Sequence, residues 1–201
     1  MKNLLIIASL FLFTSCTKIL IHTYGFKTPR FESKERLSSF AKKHQLDESK
    51  IVFMNDSIDQ KETLRLFANS PGIIITDSAW NRLDFQNKKE NCSAPVENLL
   101  INLCTNSSSY IYYADPKLLK YLTNKSFKTA YENNSKATYY ILFLWGSSMG
   151  KTIKKIKDWE NILKKDTSCN YQTYWINYDY MAEWYGYKAG KKIKYSIDRK
   201  N

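Results

Sequence analysis

The residues able to do chemistry are few and scattered. Four cysteines stand at positions 16, 92, 104 and 169, and no two form a C-x-x-C pair. Dithiol redox chemistry therefore lacks its usual motif, in which the attacking and resolving thiols sit one helical turn apart. The segment Gly146-Ser147-Ser148-Met149-Gly150-Lys151-Thr152 follows an apolar strand and precedes an amphipathic helix. A phosphate-cradling loop occupies such a place, but needs four residues between its glycines for the backbone amides to wrap the phosphate. Here there are three. Asp179 is the least unsuitable aspartate for the metal-binding partner such a loop requires. Nucleotide binding is not expected, which leaves Gly146, Ser147 and Ser148 as candidate binding residues at a helix N-terminus. With 2 histidines in the chain, no metal cluster is expected, and His44 reads as a residue at the edge of a helix. Scattered carboxylates such as Glu160 and Glu183 form no acid/base pair.

The N-terminus carries the clearest pattern. Lys2 precedes the apolar run Leu4 to Phe13, and Thr14-Ser15-Cys16 follows. Ten helical residues span about 15 Å, half of a hydrocarbon core, so a secretory segment is favoured over a membrane span. The small residues before Cys16 resemble the lipobox of bacterial lipoproteins, with Phe13 bulkier than the pattern prefers. The resemblance implies cleavage before Cys16, acylation of its sulfur and attachment to a bilayer. No Asp or Glu follows Cys16 before Glu32, and a surface-export signal of that acidic kind is missing. The expected location is the cell envelope, on the periplasmic side of the outer membrane.

Acylation of Cys16 leaves three thiols, an odd number for an oxidising compartment. Cys92 and Cys104 flank a predicted helix with Pro95 in its first turn. Its ends lie about 15 Å apart, beyond disulfide reach, so either cysteine pairs more readily with Cys169. Catalytic residues are not expected. The alternative is a thiol enzyme using Cys92, at its helix N-terminus, with Cys169 or Cys104 as resolving partner.

These residues need a scaffold, and the chain provides one. Its 201 residues are 43% hydrophobic, 15% aromatic and 25% charged, enough apolar area for one packed domain. Disorder, a polytopic membrane protein and a small disulfide scaffold are excluded. The formal net charge of +12 keeps a tethered protein soluble and permits contact with anionic lipid or glycan. Four regions are expected: a signal peptide over 1–15, a lipidated tether over 16–31, one α/β domain over 32–187 and a basic, mobile tail over 188–201.

Apolar spacing predicts helices over Ser33 to His44, from Ser57 through Phe67, between Cys92 and Cys104, after Asp115-Pro116, and from Met149 through Leu163. Ser57 and Gln60 have the spacing of a capping box. Strands are expected at Ile51–Met54, Gly72–Thr76, Arg82–Phe85, Tyr110–Tyr113 as an edge, Thr138–Trp145 as the central strand, and Thr173–Tyr178. In the last, Tyr174, Ile176 and Tyr178 should share one face, with Trp175 and Asn177 opposite. The tyrosine-rich stretch from Tyr171 to Tyr187 is half core by this pattern; its remainder could stack on a glycan or peptide. Asp56-Ser57-Ile58 and Asp77-Ser78-Ala79 resemble envelope O-glycosylation sites.

The order strand, helix, proline-led strand, strand, helix over residues 50–103 resembles the second half of a thioredoxin fold. Residues 138–179 resemble its first half, with Trp145 before the loop that would carry the dithiol. The whole is similar to lipoproteins of Gram-negative bacteria with a thioredoxin-like, permuted domain. This implies an α/β sandwich with a mixed sheet of about five strands and helices on both faces. The dithiol positions hold Gly, Ser, Ser and Met, so the redox activity and its cofactors are not implied. What remains is a binding or structural module whose partners are the bilayer and an envelope protein or glycan, without nucleic acid.

Overall fold

A computed structural model describes residues 25–54, 56–67, 70, 72–83, 94–105, 111–115, 118, 137–166 and 170–193. The chain is a mixed α/β protein. Its central sheet has six strands: β2 (Ile51–Val52), β7 (Tyr171–Asn177), β6 (Tyr139–Trp145), β3 (Ile73–Asp77), β4 (Arg82–Leu83) and β5 (Tyr112–Tyr113), in that spatial order. β2, β7 and β6 run parallel, whereas β3, β4 and β5 continue as antiparallel neighbours. The expectation of about five strands is thus corrected to six, with a further sheet of β1 (Phe31–Glu32) and β8 (Tyr180–Met181). Strands of two residues such as β1 and β8 are too short to leave a period-2 signal.

β6 is central because its sequence satisfies both faces. Tyr139, Ile141, Phe143 and Trp145 enter one apolar cluster; Tyr140 and Leu142 enter the other, and Leu144 packs against it. Two helical residues of α1 (Lys34–Lys43), three positions around α3 (Ala94–Asn102), and the Ile153, Ile156, Trp159, Leu163 stripe of α4 (Thr152–Lys165) cover the first face. Leu66 and Phe67 of α2 (Ser57–Phe67) cover the second. Each Val, Leu, Ile or Phe among them contributes about 1.5–3 kcal/mol when fully buried. Helices therefore lie on both faces, as the alternating pattern requires.

Local signals held where the backbone needed them. Ser33 caps α1 by accepting from Arg36 N, and His44 closes it. Asp115 accepts from Leu118 N, as its place before Pro116 suggests. The cap of α2 is Asp56 rather than Ser57: Asp56 Oδ1 accepts from Ile58 N at 2.8 Å, and Ser57 is the first helical residue. Gln60 does not reach back to the cap; its amide donates to Tyr178 O. The turn after β3 is held by Asp77 Oδ1, which accepts from Ala79 N and Asn81 N. It places Trp80 at φ 63, where a ring stacked on Tyr140 at 4.0 Å offsets the backbone cost.

Tyr174 and Ile176 share one cluster and Trp175 the other, as expected, but Tyr178 packs on the Trp175 side. β7 ends at Asn177, so the strand alternation no longer governs Tyr178. The segment read as a tether is also bonded into the molecule. Lys27 N donates to Ser148 O, Phe31 N to Lys191 O, and Ile193 N to Pro29 O. The basic stretch read as mobile is therefore fixed as far as Ile193. Pro71, Cys16, Cys92, Cys169, the segment Lys125 to Lys136 and residues 194–201 lie outside the described residues.

Candidate functional site

The parallel strands β6 and β7 end side by side, Trp145 opposite Asn177. In open α/β sheets this carboxyl edge is where ligands bind, because two loops diverge there and leave a crevice. One loop is Gly146 to Lys151; the other is Tyr178-Asp179. Between them and α1 lies a cleft of about 490 Å³ lined by Lys27, Arg30, Glu32, Arg36, Phe40 and Ser147, among others. Its size is in the range of small-molecule sites.

The floor of the cleft is a polar network. Ser147 N donates to Asp179 Oδ2 at 2.8 Å, and Asn177 Nδ2 donates to the same oxygen at 2.9 Å. Ser147 Oγ lies 2.9 Å from Asp179 Oδ1 and 3.1 Å from Glu32 Oε1. Glu32 Oε2 takes Arg36 Nε at 2.7 Å. A hydroxyl carries one proton, so Ser147 Oγ donates to one of the two carboxyl oxygens at a time. Asp179 is 3% exposed; burial raises its pKa, and the neighbouring Glu32 charge adds to this against hydrogen bonds that lower it. Ser147 Oγ is thus within hydrogen-bond distance of both carboxyl groups and bridges them. The bridge links a buried acid to a carboxylate on the cleft wall.

Gly146 is buried beneath this loop because the Tyr178 ring lies where a Cβ would stand, 2.7 Å from Cε1 and Cζ. Ser148 is buried, its hydroxyl 3.3 Å from Tyr178 Oη. Of the three candidate binding residues, Ser147 and Ser148 line the cleft. The Ser147 amide is occupied by Asp179 Oδ2, so the loop does not present that N–H to a phosphate. Asp179, the least unsuitable partner for a phosphate loop, instead bonds the Gly146 to Lys151 loop through Ser147. The segment Gly146 to Gly150 also spells G-x-S-x-G, the spacing of a hydrolase nucleophile turn. Ser148 lacks the positive φ of that strained turn, which among non-glycine described residues is confined to Gln45 and Trp80.

Glu32, Asn177 and Tyr178 were missed by sequence reading. Asn177 had a local signal, since its side chain accepts from Asp179 N two residues on. Glu32 had none, because it joins Ser147 across 115 residues. Cys104 is in a disulfide, its partner lying outside the described residues, and Cys104 itself does not line the cleft. His44 stacks on Phe40 at 4.3 Å; burial, then Lys43 and Lys27, lower its pKa. No group of three metal-binding side chains occurs among the described residues. Glu160 is paired with Lys157 and Lys164, and Glu183 is exposed.

The fold and site define a mixed α/β protein with a serine-and-carboxyl cleft at the ends of its parallel strands. Comparison with family models, with curated proteins and with solved structures finds no match for this chain.

Proposed function

We propose that this chain is a lipid-anchored envelope protein of a Gram-negative bacterium, held through acylated Cys16 and facing the periplasm. Its domain is a permuted thioredoxin-like module that binds a partner without turnover. The observation carrying this reading is the strand order β7-β6-β3-β4 with a helical crossover between β6 and β7. It is the order of a thioredoxin core, entered at a different strand, with β2 added beyond β7. Where that family keeps its dithiol, this chain has a serine bonded to two buried carboxyl groups, which has no electrons to exchange with a disulfide. The cleft above it combines cations, carboxylates, hydroxyls and the Phe40 ring, a lining suited to a polar envelope protein segment or glycan.

The anchor is tested by labelling with palmitate in a Gram-negative host. Wild type should be labelled and Cys16→Ser should not; equal labelling ends the anchor reading. The binding role is tested with a photo-crosslinking residue at Ser39, on the cleft wall, and at Ile101, exposed on α3. Envelope adducts should form from position 39 alone, and their absence or equal formation from both ends the cleft reading. The alternative, a thiol oxidoreductase using Cys92, requires insulin reduction that is lost in Cys92→Ser; no turnover is expected.

A further inference from the structure

β1 has two sides with different chemistry. Arg30 and Glu32 face the cleft, whereas Phe31 points the other way into a group of tyrosines. Its ring centroid lies 4.6 Å from Tyr187, 5.3 Å from Tyr185 and 6.3 Å from Tyr180. Phe31 itself is buried, but Tyr185 is 38% and Tyr187 45% exposed. Lys191 Nζ sits 3.5 Å above the Tyr187 ring, and Lys188, next in the chain to Tyr187, is exposed. From Ala182 to Ile193 the only acidic residue is Glu183. Backbone bonds from Phe31 to Lys191 and from Gly190 to Phe31 fix this stretch against β1.

We propose that the face formed by Tyr185, Tyr187, Lys188 and Lys191 rests on an anionic lipid bilayer. The inference builds on the anchor reading, since the nine residue steps from Cys16 to Gly25 extend at most about 30 Å. An acylated Cys16 thus keeps the start of the described chain within that distance of the membrane. Amphipathic tyrosines settle at the headgroup level, where ring and hydroxyl meet different solvents. Lysines beside them are attracted to anionic headgroups within a Debye length of the surface. The bilayer would hold the domain in one orientation and leave the cleft, on the other side of β1, open.

Vesicle co-flotation of the full chain as Cys16→Ser removes the acyl contribution. Vesicles of phosphatidylcholine alone are compared with vesicles containing one quarter phosphatidylglycerol. The N-terminal apolar segment contributes equally to every variant, so differences report the face. Partitioning should be at least tenfold stronger on the anionic vesicles, and the preference should vanish in 1 M salt. Lys188→Glu/Lys191→Glu should lower anionic partitioning about 25-fold, at roughly fivefold per lysine. Tyr185→Ser/Tyr187→Ser should weaken binding to both vesicles. Equal binding to the two vesicle types, an unaffected lysine double variant, or equally tight binding to soluble dextran sulfate would overturn the proposal. Loss of palmitate labelling in the wild type would overturn the anchor alone, because this assay does not depend on it.

Discussion

Ser147 and Asp179 are joined twice, through backbone N to Oδ2 at 2.8 Å and through Oγ to Oδ1 at 2.9 Å. The pairing fastens the loop after β6 to the loop after β7. It also makes the protonation state of one buried acid a structural variable.

Asp179→Asn should preserve the network at neutral pH, since an amide can donate to Ser147 Oγ and accept from Ser147 N. The folded pKa of Asp179 lies above its unfolded value of about 4, so its favourable contribution is full below that value. It is lost as pH rises through the folded pKa. Urea titrations over pH 4 to 8 should show a flatter stability profile in the variant. Asp179→Ala should instead cost about 2–3 kcal/mol by leaving two buried donors without an acceptor. A wild-type slope retained in Asp179→Asn would remove Asp179 as its source.

Gly146→Ala places a Cβ against the Tyr178 ring, and the ring must move away from Ser148. A loss of about 1–3 kcal/mol is expected from overpacking. Tyr178→Ala should relieve it, giving a strongly non-additive double-mutant cycle in chemical denaturation. Additive losses would show that the ring is not the obstacle.

Glu160 is 1% exposed. Burial alone raises its pKa, but hydrogen bonds from Lys157 and Lys164 outweigh that and hold it below the usual value. Its contribution is present above the unfolded pKa and lost as pH falls through the folded one. Glu160→Gln should cost about 1–3 kcal/mol at pH 7 and flatten the acid limb of a stability curve. An unchanged acid limb would assign that limb to other carboxylates.

Arg82 is a buried cation on β4, donating to Leu66 O at 3.1 Å and paired with Asp115 at 3.3 Å. Arg82→Ala should cost about 3 kcal/mol by removing the buried cation from beside Asp115 and the donor from Leu66 O. Arg82→Ala/Asp115→Ala should recover part of this by thermal denaturation. No recovery would place the cost in the Leu66 contact and lost packing.

Sequence alone determined the elements that satisfy themselves locally. The Ile153, Ile156, Trp159, Leu163 stripe, the cap at Asp115, and the doubly buried run of β6 each follow from side-chain spacing or from one backbone donor close in the chain. β1 and β8 left no such trace, because two residues carry no period and their pairing spans the chain from Phe31 to Tyr180. The loop Gly146 to Thr152 was legible as chemistry-bearing, since glycine, serine and a strand-to-helix junction coincide. What occupied its amide was not. Tertiary structure brought Asp179 from the next loop and Glu32 from the other end of the chain to the same hydroxyl. The reason is physical: burial decides whether a carboxyl keeps its charge, and burial is a property of the packed elements rather than of any short stretch.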